Sequence, residues 1–292
     1  MRVVGSIVRR NLRLFFRDRM NVFFSLLGAI ILFVLYTLFL ARLQIDGLSE
    51  TFPAASEQQI RSFVDTWMFA GIVMLSTITT GLGALATLVD DGETGRFRDF
   101  LVSPVRRWQL VLGYLTAAVI VAVVMSMIVL TVSILYLGII DGTWLGADTV
   151  IRIAGITVLC CAGFTALSAL VVSFIRTNAA FSGFATVIGT VLGFIAGAYI
   201  PVGSLPVAVA STINALPFAQ GAMLLRREFT GESLAAMVGD SAEAADAIRE
   251  FYGIDAFVGD LLVPAGIAFG VLVAMAFGFT LLSAGRIRAR IR

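Results

Sequence analysis

The stretch Met20–Ala41, MNVFFSLLGAIILFVLYTLFLA, runs for 22 residues without a charged side chain. A helix rises about 1.5 Å per residue and the hydrocarbon core of a bilayer is about 30 Å thick, so roughly 20 apolar residues suffice to cross it. Before it stand Arg2, Arg9, Arg10, Arg13, Arg17 and Arg19, too dispersed for the short basic head of a cleavable signal, so the stretch reads as a membrane anchor. Further charge-free intervals follow at 66–89, 108–140, 153–175, 177–225 and 261–285. Apolar residues make up 59% of the chain and charged ones 14%, against roughly 45–50% and about 25% in a soluble domain. One membrane domain therefore takes up all 292 residues, and no soluble domain boundary is drawn.

The interval 177–225 is too long for one helix and too short for two with a comfortable turn. Pro201, Pro206 and Pro217 break it. The expected architecture is all-α and polytopic. Six spans are placed at about 20–41, 66–89, 108–138, 153–175, 180–200 and 261–285, with broken or re-entrant half-helices over 201–225. Six crossings put both termini on one side. The segments on that side carry a net +10 and the opposite ones −8, so the positive-inside rule makes the termini and the 90–113 loop cytoplasmic and turns 42–65, 141–152 and 201–260 outward. The expected location is the cell membrane. On a helical wheel of residues 1–18, Arg2, Arg9, Arg10, Arg13 and Arg17 share one arc, opposite Val3, Val4, Ile7, Val8, Leu12, Leu14 and Phe15. That pattern suits an interfacial helix over 1–19 with its Arg on anionic lipid headgroups.

The chain has no Lys and no His. A phosphate-binding Walker-A loop needs its Lys, and zinc sites of the HExxH type or Ser-His and Cys-His pairs need imidazole, so none of these is encoded here. Cys160 and Cys161 are adjacent in an apolar stretch and read as small packing residues. The intervals named above hold no Asp, Glu or Arg, whereas ion-coupled carriers usually keep an ionisable residue of that kind in mid-membrane. An external energy source is therefore favoured. A membrane-embedded enzyme is disfavoured by the same residues, with Asp240 and Asp260 outside the spans; a passive channel or scaffold subunit is the competing reading.

The loop Asp90–Arg107, DDGETGRFRDFLVSPVRR, has acids first, basic residues later and Pro104 as a stop. This order predicts a short helix over about 91–103 whose acids sit at its N-terminus. Phe97, Phe100 and Leu101, at i, i+3 and i+4, would then form one apolar ridge, either docked on a partner or folded back on the membrane interface.

Three parts of the chain carry a family resemblance. These are Arg10–Arg19, the Glu93-x-Gly95 to Leu101-Val102-Ser103-Pro104-Val105 stretch, and Asn214-Ala-Leu-Pro217 to Arg226. Together they resemble the ABC-2 type export permeases, the membrane subunits of drug, polysaccharide and lipid exporters. The resemblance implies a non-catalytic transport subunit that works with a separate nucleotide-binding subunit, which holds ATP and Mg, and with a second permease subunit. Cofactors within the chain and nucleic-acid partners are not expected. Carried over to this sequence, Glu93, Gly95, Arg96, Phe97, Phe100, Leu101, Ser103 and Pro104 form the ATPase-coupling helix; Arg96 and Phe97 depart from the small or hydroxyl and then apolar residues common in the family. The resemblance further implies that the second and fifth spans line the pathway, with Thr77, Thr80, Phe181, Phe184, Thr190 and Phe194 as candidates beside Ser76, Thr79 and Thr186. Gly189, Gly193 and Gly197 recur every fourth residue, a spacing for close helix packing within a subunit or across a dimer.

Overall fold

The computed structural model describes residues 2–97, 105–195, 198–259 and 261–290, the side chains of 194, 195 and 288–290 excepted. Helix α1, Arg2–Arg17, is separated from α2, Arg19–Leu35, by Asp18. The Asp18 carboxylate accepts from the backbone N–H groups of Met20 and Asn21 and so caps α2. A π-helical turn at Tyr36–Leu40 passes directly into α3, Ala41–Thr51. Ser56 then starts α4, Glu57–Ala84, with a reciprocal cap: its hydroxyl accepts from Gln59 N while Gln59 Oε1 accepts from Ser56 N at 2.8 Å. After a break at Leu85 comes α5, Ala86–Glu93. The remaining long helices are α6, Arg107–Ile139, α7, Ala147–Val172, and α8, Asn178–Ile195. The short α9, Val207–Asn214, and the longer α10, Pro217–Val238, precede α11, Ala242–Phe251. A two-stranded hairpin pairs Phe257 with Leu262 and Val258 with Leu261 before α12, Ala265–Arg290.

Among the described residues, five helical stretches are long and apolar enough to cross a bilayer: Arg19–Thr51, Glu57–Glu93, Arg107–Ile139, Ala147–Val172 and Ala265–Ile287. The pair α9 and α10, which meet at 85°, makes a sixth if the two count as one broken span. The protein is all-α and polytopic, as expected. Helix α8, expected as the fifth span, is the shorter apolar helix among the described residues. The half-helices expected over 201–225 are α9 and α10, and α10 continues to Val238. Pro217 opens α10 as its first helical residue, where the missing N–H costs nothing. Asn214 Nδ2 donates to Phe257 O at 3.0 Å and ties the elbow to the hairpin.

Two boundaries are corrected. The linker expected over 42–65 is mostly helix, because α3 prolongs the first span to Thr51 and the Ser56 cap starts the second nine residues before its charge-free interval. The last span begins at Ala265, since Leu261 and Leu262 belong to the hairpin. In both places the apolar interval marks where a helix can meet lipid, whereas caps and turns mark where it ends.

Helix α4 is the central column, packed against α2, α6, α7 and α10. Its buried threonines Thr66, Thr77 and Thr80 donate to carbonyls about one turn back on their own helix, and Thr66 also meets Ser233 of α10 at 2.8 Å. Near one end of α4, Trp67 donates its indole N–H to Tyr252 O at 2.8 Å, and the buried Arg226 guanidinium lies 5.2 Å from the Trp67 ring. These contacts fix the 217–258 segment as a cap over that end.

Candidate functional site

At the other end of the column, the site is built around Asp91, whose side chain is fully buried in the last turn of α5. Arg10 grips it with both guanidinium nitrogens, Nη1 to Oδ2 at 2.7 Å and Nη2 to Oδ1 at 3.0 Å. The Tyr114 hydroxyl of α6 donates to Oδ2, and Arg96 Nη1 reaches Oδ1 at 3.2 Å and Asp90 Oδ2 at 2.7 Å. Two guanidinium groups and two carboxylates thus balance in charge, and the fork geometry suits a bidentate pair. The Asp91 hydrogen bonds raise the pKa of Arg10 and of Arg96, so both stay charged.

Helix α1 reaches this cluster because Ile7, Asn11 and Phe15, spaced by four, form its buried stripe. A Cβ at Gly113 of α6 would collide with Ile7, so glycine there lets α1 lie close. The wheel had placed Arg10 with the lipid-facing Arg; it turns inward because it borders the Asn11 side of that stripe. Arg2, Arg9, Arg13 and Arg17 remain exposed.

The expected helix with acids at its N-terminus is also corrected. Asp90, Asp91 and Glu93 close α5, and Gly95, at φ +74°, turns the chain immediately after it. Guanidinium partners stabilise Asp90 and Asp91 in place of the N-terminus of their own helix. Phe97 is half-buried and packs edge-on against Tyr114, with ring centroids 6.0 Å apart, so it does not stand on a free ridge. Phe100, Leu101, Ser103 and Pro104 lie outside the described residues. Glu93 caps a different helix: its Oε2 accepts from the backbone N of Asn178, the first residue of α8, at 2.7 Å. Asn178 Nδ2 in turn donates to Asp90 Oδ1 at 3.3 Å. The loop is therefore hydrogen-bonded to α1 on one side and to α8 on the other.

Above this junction α2, α4 and α8 enclose a cleft of about 520 Å³, lined by Asn21, Phe24, Ser25, Gly28, Thr79, Phe181, Ser182, Thr186, Gly189, Thr190 and Tyr199 among others, none of them charged. It shares Asn21, Phe24, Ala86, Phe181 and Ser182 with a second cleft of about 700 Å³ that Arg17, Asp18, Asp90, Arg96 and Asn178 border. An uncharged cavity thus opens onto a charged mouth at the loop. Of the expected pathway residues, Phe181 and Thr190 line this cleft together with Thr79 and Thr186. Thr77 and Thr80 do not: both are wholly buried on the far side of α4. Ser76 is buried as well and bonds Ser126 at 3.1 Å, and Phe184 packs toward the cluster around Leu88 and Tyr114. The Phe194 side chain and Gly197 lie outside the described residues. Gly189 opens into the cleft, whereas a Cβ at Gly193 would collide with Tyr199 of the same chain. Close packing at Gly193 is therefore intramolecular.

The family model for the ABC-2 type transporter matches residues 2–227, a stretch that contains α1, the junction and the cleft. The chain belongs to the ABC-2 type transporter family. No curated protein matches it. Membership makes the chain a membrane transport subunit, multi-pass by its apolar helices, and implies partnership with an ABC ATP-binding subunit. Sequence reasoning missed Arg10, Asp91, Tyr114 and Asn178 as one constellation. The available signal was an acidic pair, Asp90 and Asp91, immediately after an apolar interval, together with Arg10 beside the apolar face of an amphipathic segment.

Proposed function

We propose that this ABC-2 permease exports an amphiphilic compound of drug, peptide or lipid type, driven by ATP hydrolysis on a separate nucleotide-binding subunit that docks at the 93–104 loop. The observation that carries the reading is the position of that loop at the foot of an uncharged cleft: Glu93 bonds the first residue of α8, and Arg96 bonds Asp91, the carboxylate that Arg10 of α1 grips. A push on the loop would reach the cleft wall through the Glu93–Asn178 bond, while α1 holds the other side. Glu93, Gly95, Arg96 and Phe97, with Phe100, Leu101, Ser103 and Pro104, are the coupling segment in this proposal. The cleft favours a substrate with an apolar body and hydrogen-bonding groups, since Phe24 and Phe181 stand beside Asn21, Ser182 and Thr190.

The open side of the cleft suits a second permease subunit facing it, identical or related, with lipid around both. Both termini are assigned to the cytoplasm and the protein to the cell membrane, on the charge asymmetry of the loops. The test is reconstitution in liposomes with the ATPase encoded beside it. Hydrolysis should require that subunit, and a panel of amphiphiles should stimulate it and move across the bilayer only with ATP. Substrate flux without ATP or the ATPase would instead establish a passive channel.

A further inference from the structure

The charge-free interval 66–89 has a buried acid beyond each end, Asp65 and Asp91, and the two acids are treated differently. Asp91 at the junction has two guanidinium groups and a tyrosine hydroxyl donating to it. Asp65, at the opposite end of the same apolar interval, faces a second acid, Asp141, which follows the end of α6. Their side chains are 7% and 1% exposed. The single cation present is Arg61, whose Nε lies 3.6 Å from Asp65 Oδ2 and 3.6 Å from Asp141 Oδ1, beyond hydrogen-bonding distance for both. Asp65 Oδ2 and both carboxyl oxygens of Asp141 are buried without a hydrogen-bond donor. The other groups facing the pair are the Tyr136 hydroxyl of α6 and the neutral Gln58, Ser62 and Thr143.

We propose that Asp65 and Asp141 hold one proton between them and that this proton closes a clasp joining the far end of α4 to the segment after α6. Two buried carboxylates flanking the same Arg61 Nε have acceptors and no donor; a single proton on either supplies the missing O–H and leaves one negative charge against Arg61, so the site becomes neutral. Loss of the proton to solvent, on the half-exposed Arg61 side, leaves two buried anions against one cation. The clasp has two further hydrogen bonds beside it, Gln58 Nε2 to Asp141 O at 2.7 Å and Ser62 to Thr143 at 2.8 Å, and these alone would hold the joint once the anions repel. Burial pushes the Asp141 carboxyl above its ordinary range. Because α4 also carries Thr79 into the cleft, the clasp would make the cleft wall responsive to pH on the face away from the termini.

The sign follows from linkage. The folded chain holds the proton more tightly than the unfolded one, whose carboxyls titrate near 3.9, so the stabilisation is complete below that range and is lost as pH rises through the folded pair's titration. In the detergent-purified permease, infrared spectra should show a protonated-carboxyl C=O band, shifted in heavy water, that disappears as pH rises and is missing in Asp65→Asn and in Asp141→Asn. The thermal midpoint of the parent should fall by several degrees between about pH 5 and about pH 9, while in either Asn variant, which keeps an amide donor in place of the proton, it should be nearly flat over that window. Absence of the band in the parent, or the parental pH slope surviving in both variants, would overturn the proposal. So would a midpoint raised by sodium or calcium at fixed pH without the band, which would make the pair a cation site.

Discussion

Replacing Asp91 by Asn keeps the side-chain volume and removes the charge that Arg10, Arg96 and Tyr114 converge on. The amide nitrogen would then face a guanidinium group, and Arg10 would lose its fork. Breaking a fully buried pair by removing one partner costs about 3–5 kcal/mol, but the Arg10 side chain is 31% exposed, and solvent screening reduces the expected loss to about 2–3 kcal/mol. Most of that loss falls on the docking of α1, since Asp91 is the acid that holds this helix and the rest of its attachment is the packing of Ile7, Asn11 and Phe15 with Val3 and Leu12 beside them. At about 1.4 kcal/mol per decade, the population of undocked α1 should rise about 30- to 150-fold. Hydrogen exchange measured by mass spectrometry on peptides covering 2–17 reads this directly, as an equal loss of protection confined to α1 and the loop. Arg13→Ala, on an exposed position of the same helix, should change nothing. If Asp91→Asn leaves α1 protection within about threefold of the parent while the chain remains folded, the Arg10 pair does not hold the helix and the junction is not a mechanical unit.

Two further outcomes follow from the same geometry. Replacing Phe97 and Phe100 together by Ala should weaken pull-down of the ATPase or lower the transport per ATP hydrolysed, with normal insertion, because the exposed part of Phe97, whose ring also packs on Tyr114, and Phe100 belong to the proposed docking segment, and a large apolar side chain fully buried at an interface contributes roughly 1.5–3 kcal/mol; unchanged association and coupling would remove the loop as the docking segment. With the native Cys160 and Cys161 buried, a single cysteine at Ser241 should react with an impermeant thiol reagent outside intact cells and one at Thr94 should not, and the reverse pattern would invert the assigned topology.

The fold was legible where one physical quantity, the length of a charge-free interval, decides the outcome. The ends of the helices were not, because they depend on caps; the Ser56-x-x-Gln59 box stood in the sequence and starts α4 well before its apolar run. The cleft was legible only to within a helical phase. Thr79 lines it while Thr77 and Thr80 are buried, and steps of one or two residues, about 100° each, separate the two outcomes. A hydroxyl run on a helix satisfied by its own carbonyls gives no sign of which member faces the cavity. The junction was least legible, for a different reason. Arg10 and Asp91 are 81 positions apart, and local patterning assigns each to the wrong neighbour, the Arg to lipid headgroups and the Asp to a helix N-terminus. Charge alone cannot choose between an anionic lipid and a buried carboxylate. What chooses is desolvation: once Ile7, Asn11 and Phe15 bury one stripe of α1 against α6, the Asp91 carboxylate is sealed from water, and an unpaired carboxylate there would cost more than the headgroup contact Arg10 gives up.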